Sequence, residues 1–214
     1  MRSIKKIGAF NDDHGSTTLA LGFALRRWRL LHNVKQEHAA ELFGVAQSTI
    51  SRWEGGRQAM EPTELAKVAA VVGARLDTAA DSVLAMLVSE SPRPVHLICD
   101  LTHRLLACST PRAREFGVPK VDLIGCSLWP YASAELVGAE RTLADLGWYD
   151  RPVPSPLQPK TGANNPPIVP IRGGTCRGTR LLLSDGTPAR LVETLTCIRL
   201  RRSTREAPPN SGAA

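Results

Sequence analysis

The sequence predicts a multidomain chain: an all-α domain of five helices, then an α+β domain built on an antiparallel sheet. Three observations predict it. Apolar residues recur at helical spacing from residue 19 to about 88; the texture breaks at "SPRP" (91–94); short β-like runs alternating with helical patterns follow. With 43% hydrophobic and 22% charged residues, the 214-residue chain has enough apolar material for two modest cores.

Each element has its own signal. Residues 1–18 are rich in Gly, Ser, Thr, Asp and Asn without apolar periodicity, and read as a flexible arm. The domain over 19–90 opens with Leu21, Leu25, Trp28 and Leu31 on one helical face. "KQEHAAELF" (35–43) is a second helix stopped by Gly44, and "GVAQSTISRWEGGR" (44–57) carries a third, ended by Gly55 and Gly56. "EPTELAKVAAVVG" (61–73) has Pro62 in its first turn and Leu65, Val68, Ala69 and Val72 on one face. A fifth helix is expected over 78–90, with Val83, Leu84, Leu87 and Val88 offering either a dimer surface or packing onto its own domain.

Residues 91–94 read as a linker and 95–201 as the second domain. Strands are expected at "VHLICD" (95–100), "RLLACS" (104–109), "TRLLLS" (179–184) and "ARLVETLTCIRL" (189–200), the last two joined by a "DGTP" turn. Helical patterns lie at 111–117 and about 133–147. The seven prolines of 150–170 predict a long irregular loop, "RGGTCRGTR" (172–180) reads as a solvated basic loop, and 202–214 as a disordered tail.

Charge and cysteines narrow the classes of function. The formal net charge is +7, with eight Lys/Arg against five Asp/Glu over 19–76 and fourteen against nine over 95–202, so both domains are basic. That suits an anionic partner without choosing one. The positively charged start runs into "GAFNDDHGS" rather than an apolar segment, and no stretch has the length of a membrane span, so the expectation is a cytoplasmic protein with no membrane partner. Five cysteines, at 99, 108, 126, 176 and 197, lack zinc or C-x-x-C spacing and are expected to be reduced thiols.

Residues 36–54 fit two short helices joined by a tight turn. Ala40 is small where the helices cross, and Gly44 tolerates positive φ at the turn. Ala39, Phe43, Val45, Ile50 and Trp53 fall on the shared core. Gln47, Ser48, Ser51 and Arg52 then point outward, with Thr49 at the N-terminal edge. A helix entering the major groove presents its N-terminal residues to base edges, and short hydrogen-bonding side chains suit that task. The plainer alternative is a structural helical hairpin with a polar surface.

Over 19–76 the pattern resembles the phage-repressor branch of helix-turn-helix proteins, the XRE family: Gln36, Ala40, Gly44, the polar run 47–52, then Trp53-Glu54-Gly55-Gly56. The resemblance implies double-stranded DNA as partner. It implies that Gln36 bonds a phosphate, that Gln47, Ser48 and Arg52 face bases, and that Thr49, Ser51 and Arg57 touch the DNA backbone. It also implies a structural ion pair between Arg29 and Glu54, whose alternative is two solvated charges. Ala46 departs from the family, which usually caps the recognition helix with Ser or Thr. A single module of this size makes few contacts, so a homodimer is expected.

In the second domain, "VHLICDLTHRLLACSTPRAREFG" and "VDLIGCSLWPY" resemble a PAS-type sensor domain, with Asp100 closing a strand, Arg104 opening the next and Ser109 leading into a helix. His103 stands where a turn Gly is usual and Ser109 where an Asn is usual. The resemblance implies dimerisation or sensing of a small-molecule ligand; the alternative is a protein-interaction module, for example one docking RNA polymerase. No cofactor is expected: no His follows residue 103 and "TCR" (175–177) comes too late for a flavin motif. His96, Cys99 and His103 do not suggest a metal site, because strand alternation sends His96 and Cys99 to opposite faces. No G-x-S-x-G, Walker or G-x-G-x-x-G motif is present, so the chain is not expected to be an enzyme.

Overall fold

The computed structural model describes residues 14–150, 154–164 and 168–197. Five helices, α1 (His14–Leu31), α2 (Gln36–Phe43), α3 (Gln47–Glu54), α4 (Pro62–Val72) and α5 (Ala79–Glu90), come first. A four-stranded sheet with short helices follows: β1 (Val95–Cys99), β2 (Leu105–Cys108), α6 (Thr110–Phe116), α7 (Lys120–Leu123), α8 (Ala134–Arg141), β3 (Gly174–Leu182) and β4 (Pro188–Cys197). The fold class is thus an all-α helix-turn-helix region followed by an α+β, antiparallel-sheet region. Helix α1 starts inside the stretch read as an arm, and Thr18 is already buried. The rest of that arm (1–13) and the tail read at 202–214 lie outside the described residues.

Helices α1 to α4 close around Leu25, Ala39, Ile50, Trp53, Val68 and Val72, all essentially without solvent contact. The tightest crossing is at Gly22 of α1. A Cβ there would lie 2.2 Å from the Trp53 carbonyl oxygen, so the backbone of α3 lies where any other residue would put a side chain. At the start of α4, the Glu64 carboxylate accepts the Glu61 N–H at 2.8 Å, which satisfies one orphan donor of the first turn.

Helix α5 packs its inner face on β1 and β2. Thr78 caps its first turn by accepting the Asp81 N–H. Asp81 in turn accepts both the backbone N–H (3.1 Å) and the hydroxyl (3.0 Å) of Ser184, beyond the end of β3. Between α4 and α5, the Ala74 N–H points at the Cys99 sulfur. The two regions therefore share one core, in which Val72, Ala74 and Val88 meet Leu97, Cys99 and Ala189.

The sheet order is β2-β1-β4-β3, with every pair antiparallel. Strand alternation divides its two faces cleanly. Val95, Leu97 and Cys99 of β1, with Ala189 and Leu191 of β4, face α5 and the helical region. Ile98 and Val192 face the second core, formed with Phe116, Leu123 and Val169. All five residues of β1 are buried because both faces are covered, which explains why the strand is apolar at every position but His96.

Two sequence expectations are corrected. Residues 174–180 belong to strand β3 rather than to a solvated basic loop; their Gly and Thr obscure the alternation that marks a strand. The helix expected at about 133–147 ends at Arg141 and continues as turns to 150, with Gly147 at φ 65°. The described residues of the proline-rich segment are irregular, as expected, and touch the edge of β3 at isolated bridges, Leu157 to Gly178 and Lys160 to Thr175. Proline has no N–H to donate, so a continuous ladder does not form there.

Candidate nucleic-acid interface

Helices α2 and α3 are joined through Gly44, whose φ of 70° closes the turn while its N–H returns to the Glu41 carbonyl at 3.2 Å. A Cβ there would meet no atom within 4 Å, so backbone conformation rather than space calls for glycine. Ala39, Ala40 and Phe43 of α2 and Ile50 and Trp53 of α3 turn inward. That leaves Gln47, Ser48, Arg52 and Arg57 exposed and Gln36, Thr49 and Ser51 half-buried.

Beneath this polar face lies an ion pair. Arg29 of α1 donates from Nε to Glu54 Oε1 at 2.8 Å and from Nη2 to Oε2 at 2.9 Å, a bidentate pair with Glu54 almost wholly buried. The third guanidinium nitrogen donates to the Val34 carbonyl at 2.9 Å, so the Arg fixes the loop between α1 and α2 as well. The Glu54 hydrogen bonds and charge raise the Arg29 pKa against the cost of burial.

Glu54 Oε2 also accepts from Gln36 Nε2 at 2.9 Å, and the Gln36 carbonyl oxygen accepts from Gln47 Nε2. A hydrogen-bonded chain thus runs from the buried pair to the first residue of the exposed helix. Its effect is to fix two amide side chains that would otherwise rotate freely, which lowers the entropy they lose on contacting a partner. Arg52 reaches Thr49 Oγ1 at 3.3 Å and Arg57 reaches Ser51 Oγ at 3.5 Å, both weak contacts that leave most guanidinium donors open.

Ala46 occupies the N-cap of α3 with extended backbone (ψ 150°) and no side-chain cap. The Thr49 N–H turns back to the Ala46 carbonyl at 2.9 Å, and the first-turn amides of α3 have no side-chain cap, so an anion there would be welcomed by the helix dipole. Replacing Ala46 by Ser is expected to stabilise the free protein by about 1 kcal/mol, or roughly 2–4 °C in melting temperature for a chain of this size. An unchanged or lower melting temperature would contradict this account of the cap.

The second region holds a different kind of site. Asp100 is fully buried at the end of β1, accepting from Trp148 Nε1 at 2.8 Å and pairing with Arg190, with Arg180 Nε 3.3 Å away. Arg190 also pairs with Glu140 of α8 at 2.8 Å. Glu140 lies 3.3 Å from His103 Nε2 and 3.5 Å from Arg27 of α1, whose guanidinium stacks 4.7 Å from the Tyr149 ring centre. Burial alone would raise the Glu140 pKa; the Arg190 charge and the His103 and Arg190 hydrogen bonds outweigh it and hold the carboxyl well below its ordinary range. His103 sits at φ 57°, a left-handed conformation at the position where a turn Gly is usual in the PAS-type pattern it resembles.

Beside this cluster a cavity of about 190 Å³ opens between the sheet and α6 to α8. Glu140 and Arg190 form part of its wall, so the cavity touches a charge cluster that reaches Arg27 of α1. Ser109, singled out for its place before a helix, caps α6 by accepting the Arg112 N–H at 3.3 Å and donates to the Arg93 carbonyl at 2.7 Å. Asp100 carries a sequence signal; its partners Trp148, Arg180 and Arg190, and Glu140 beyond Arg190, carry none.

Comparison with known proteins agrees with the first half of this geometry. Residues 20–81 match a family described as a helix-turn-helix domain. Among solved structures, the chain is similar to the PAS domain from Bordetella pertussis BvgS, at 16% identity and a TM-score of 0.37, with 58% of this chain and 90% of that one covered. No curated protein matches the chain. Among the described residues, no helix is long and apolar enough to cross a membrane.

Proposed function

We propose that the chain is a sequence-specific, DNA-binding transcription regulator of the XRE type, in which α3 enters the major groove of double-stranded DNA. The observation that carries this reading is the hydrogen-bonded chain from Arg29 through Glu54 and Gln36 to Gln47, which presents two ordered amides beside exposed Ser48 and Arg52. A hairpin that served only as scaffold has no use for ordered amides at its surface. Gln47, Ser48 and Arg52 read bases; Gln36, Thr49, Ser51 and Arg57 hold the backbone, helped by the uncapped amides of α3. On a selected operator, Gln47→Ala/Arg52→Ala is expected to lower affinity about 100-fold, the sum of two ordinary base contacts. Its affinity for unrelated DNA should change far less. Equal losses on both DNAs would reject base reading.

The protein acts as a homodimer, with α5 as the contact. Val83, Met86 and Leu87 form a stripe at one to four residue spacing on α5, and each is about half exposed while the opposite face packs on β1 and β2. A second copy covering that stripe places α5 between its partner and the sheet. The sheet's far face lines the cavity, which supports a PAS-like sensor over a module that only docks another protein such as RNA polymerase. Ligand binding shifts the balance between arrangements of the two recognition helices. The chain has no catalytic role in this reading and works in the cytoplasm.

A further inference from the structure

The cavity has features that narrow its occupant, on the reading that the second region is a sensor. Its volume of about 190 Å³ is close to that of cavities that hold a single benzene ring, and far below the room needed by a flavin or haem. In a chain with only four Phe, four Trp and two Tyr, one of each (Phe116, Trp129 and Tyr131) lines it. His96 joins them from β1, its ring set edge-on to Phe116 with centroids 5.7 Å apart. With His103, whose ring lies 4.7 Å from that of Trp129, five π-systems surround one ring-sized space and favour an aromatic guest.

His96 is the polar group that calls for explanation. Its residue is 9% exposed, its ring lines the cavity, and its Nδ1 has no hydrogen-bond partner among the described residues. A buried polar group without a partner destabilises the fold, so its retention points to a partner that comes from outside. Burial, and secondarily the Arg112 charge, pushes its pKa well down, so the imidazole is neutral and offers one donor and one acceptor. The other charged groups and the second histidine of the wall are matched: Arg112 by Glu115, Arg190 by Asp100 and Glu140, and His103, whose Nε2 forms no regular hydrogen bond, by the Glu140 carboxylate 3.3 Å away, while Arg172 is exposed. Nothing buried there asks for a charged guest.

From this geometry we infer that the cavity binds an uncharged, single-ring aromatic molecule bearing a hydroxyl group, of the phenol class, with the ring among Phe116, Trp129 and Tyr131 and the hydroxyl hydrogen-bonded to His96. His96 discriminates the hydroxyl; the aromatic residues and the volume set the ring size. The binding needs no movement of the paired charges, yet it fills space against Glu140, the residue that reaches Arg27 of α1.

The test is calorimetric titration of the full chain, without DNA, using phenol, toluene, cyclohexanol and benzoate as probes. Phenol is expected to bind one per chain, at least tenfold more tightly than the other three. His96→Leu should weaken phenol at least tenfold, leave toluene unchanged, and leave the unliganded protein as stable as before or more so. Ala139→Phe, which fills the cavity from α8, should abolish binding while the unfolding transition persists. No phenol binding by the folded wild type, equal binding by His96→Leu, or tighter binding of benzoate would overturn the inference. Because binding is read apart from DNA, the sensor reading fails separately. Phenol that binds as expected without changing operator affinity upholds the ligand class and removes the sensor role. A different compound that changes operator affinity, with phenol inert, does the reverse.

Discussion

Glu54→Gln is expected to destabilise the protein by about 3–5 kcal/mol, the cost of leaving one member of a buried ion pair without its counter-charge. The magnitude follows from the surroundings. Arg29 would keep its charge with its guanidinium largely out of water, facing an amide that offers one acceptor oxygen in place of two. Gln36 would face the same amide in place of a carboxylate. Urea denaturation of wild type and variant measures the loss directly. A change below about 1 kcal/mol is what exposed ion pairs show, and would mean that the pair is screened rather than buried. Because the chain of hydrogen bonds ends at Gln47, the variant should also bind an operator less tightly at temperatures where it remains folded.

Glu140→Gln is the second large effect, again about 3 kcal/mol or more, because it strips a buried carboxylate from Arg190, His103 and Arg27 together. The pH dependence has a definite sign. The Glu140 pKa is lower in the folded protein than its ordinary 4.5, so the unfolded chain binds the proton more readily. The stability it contributes is therefore complete above the unfolded value and is lost as pH falls from about 4.5 toward the depressed folded value. Wild type should lose melting temperature steeply between about pH 5 and 3, and the Gln variant should show a shallower slope from a lower starting point. Parallel curves would show that Glu140 is not the group whose protonation matters there.

The helix-turn-helix was legible because its constraints are local. The turn at Gly44, the small Ala40 and the inward set of Ile50 and Trp53 all fall within one stretch of sequence, where spacing alone places side chains on faces. The Arg29–Glu54 contact spans 25 positions and was reached through resemblance rather than spacing. The packing of α5 is not legible in the sequence because the helix is apolar nearly all round. Val88 and Leu84 meet the core, while Val83 and Leu87 look outward, and no polar face marks the difference. The sequence of β1 does carry a signal of burial on both faces: four of its five residues are apolar and occupy both alternating sets, with His96 the exception. The Asp100–Arg190–Glu140 cluster joins residues 50 and 90 positions apart, and neither composition nor period reports such a contact. His96 read only as an improbable metal ligand; its lack of a partner is visible only once the surrounding atoms are placed.

The central claim is that α3 reads base sequence, and selection from a randomised DNA pool at two salt concentrations tests it most directly. The account predicts enrichment of one motif repeated with two-fold symmetry, its half-sites about one helical turn apart, by the wild type and not by Gln47→Ala/Arg52→Ala. It also predicts that raising salt weakens both proteins through their shared phosphate contacts while only the wild type retains the motif. Binding without an enriched motif, with wild type and variant weakening alike as salt rises, would contradict it and reduce the basic surface to non-specific attraction.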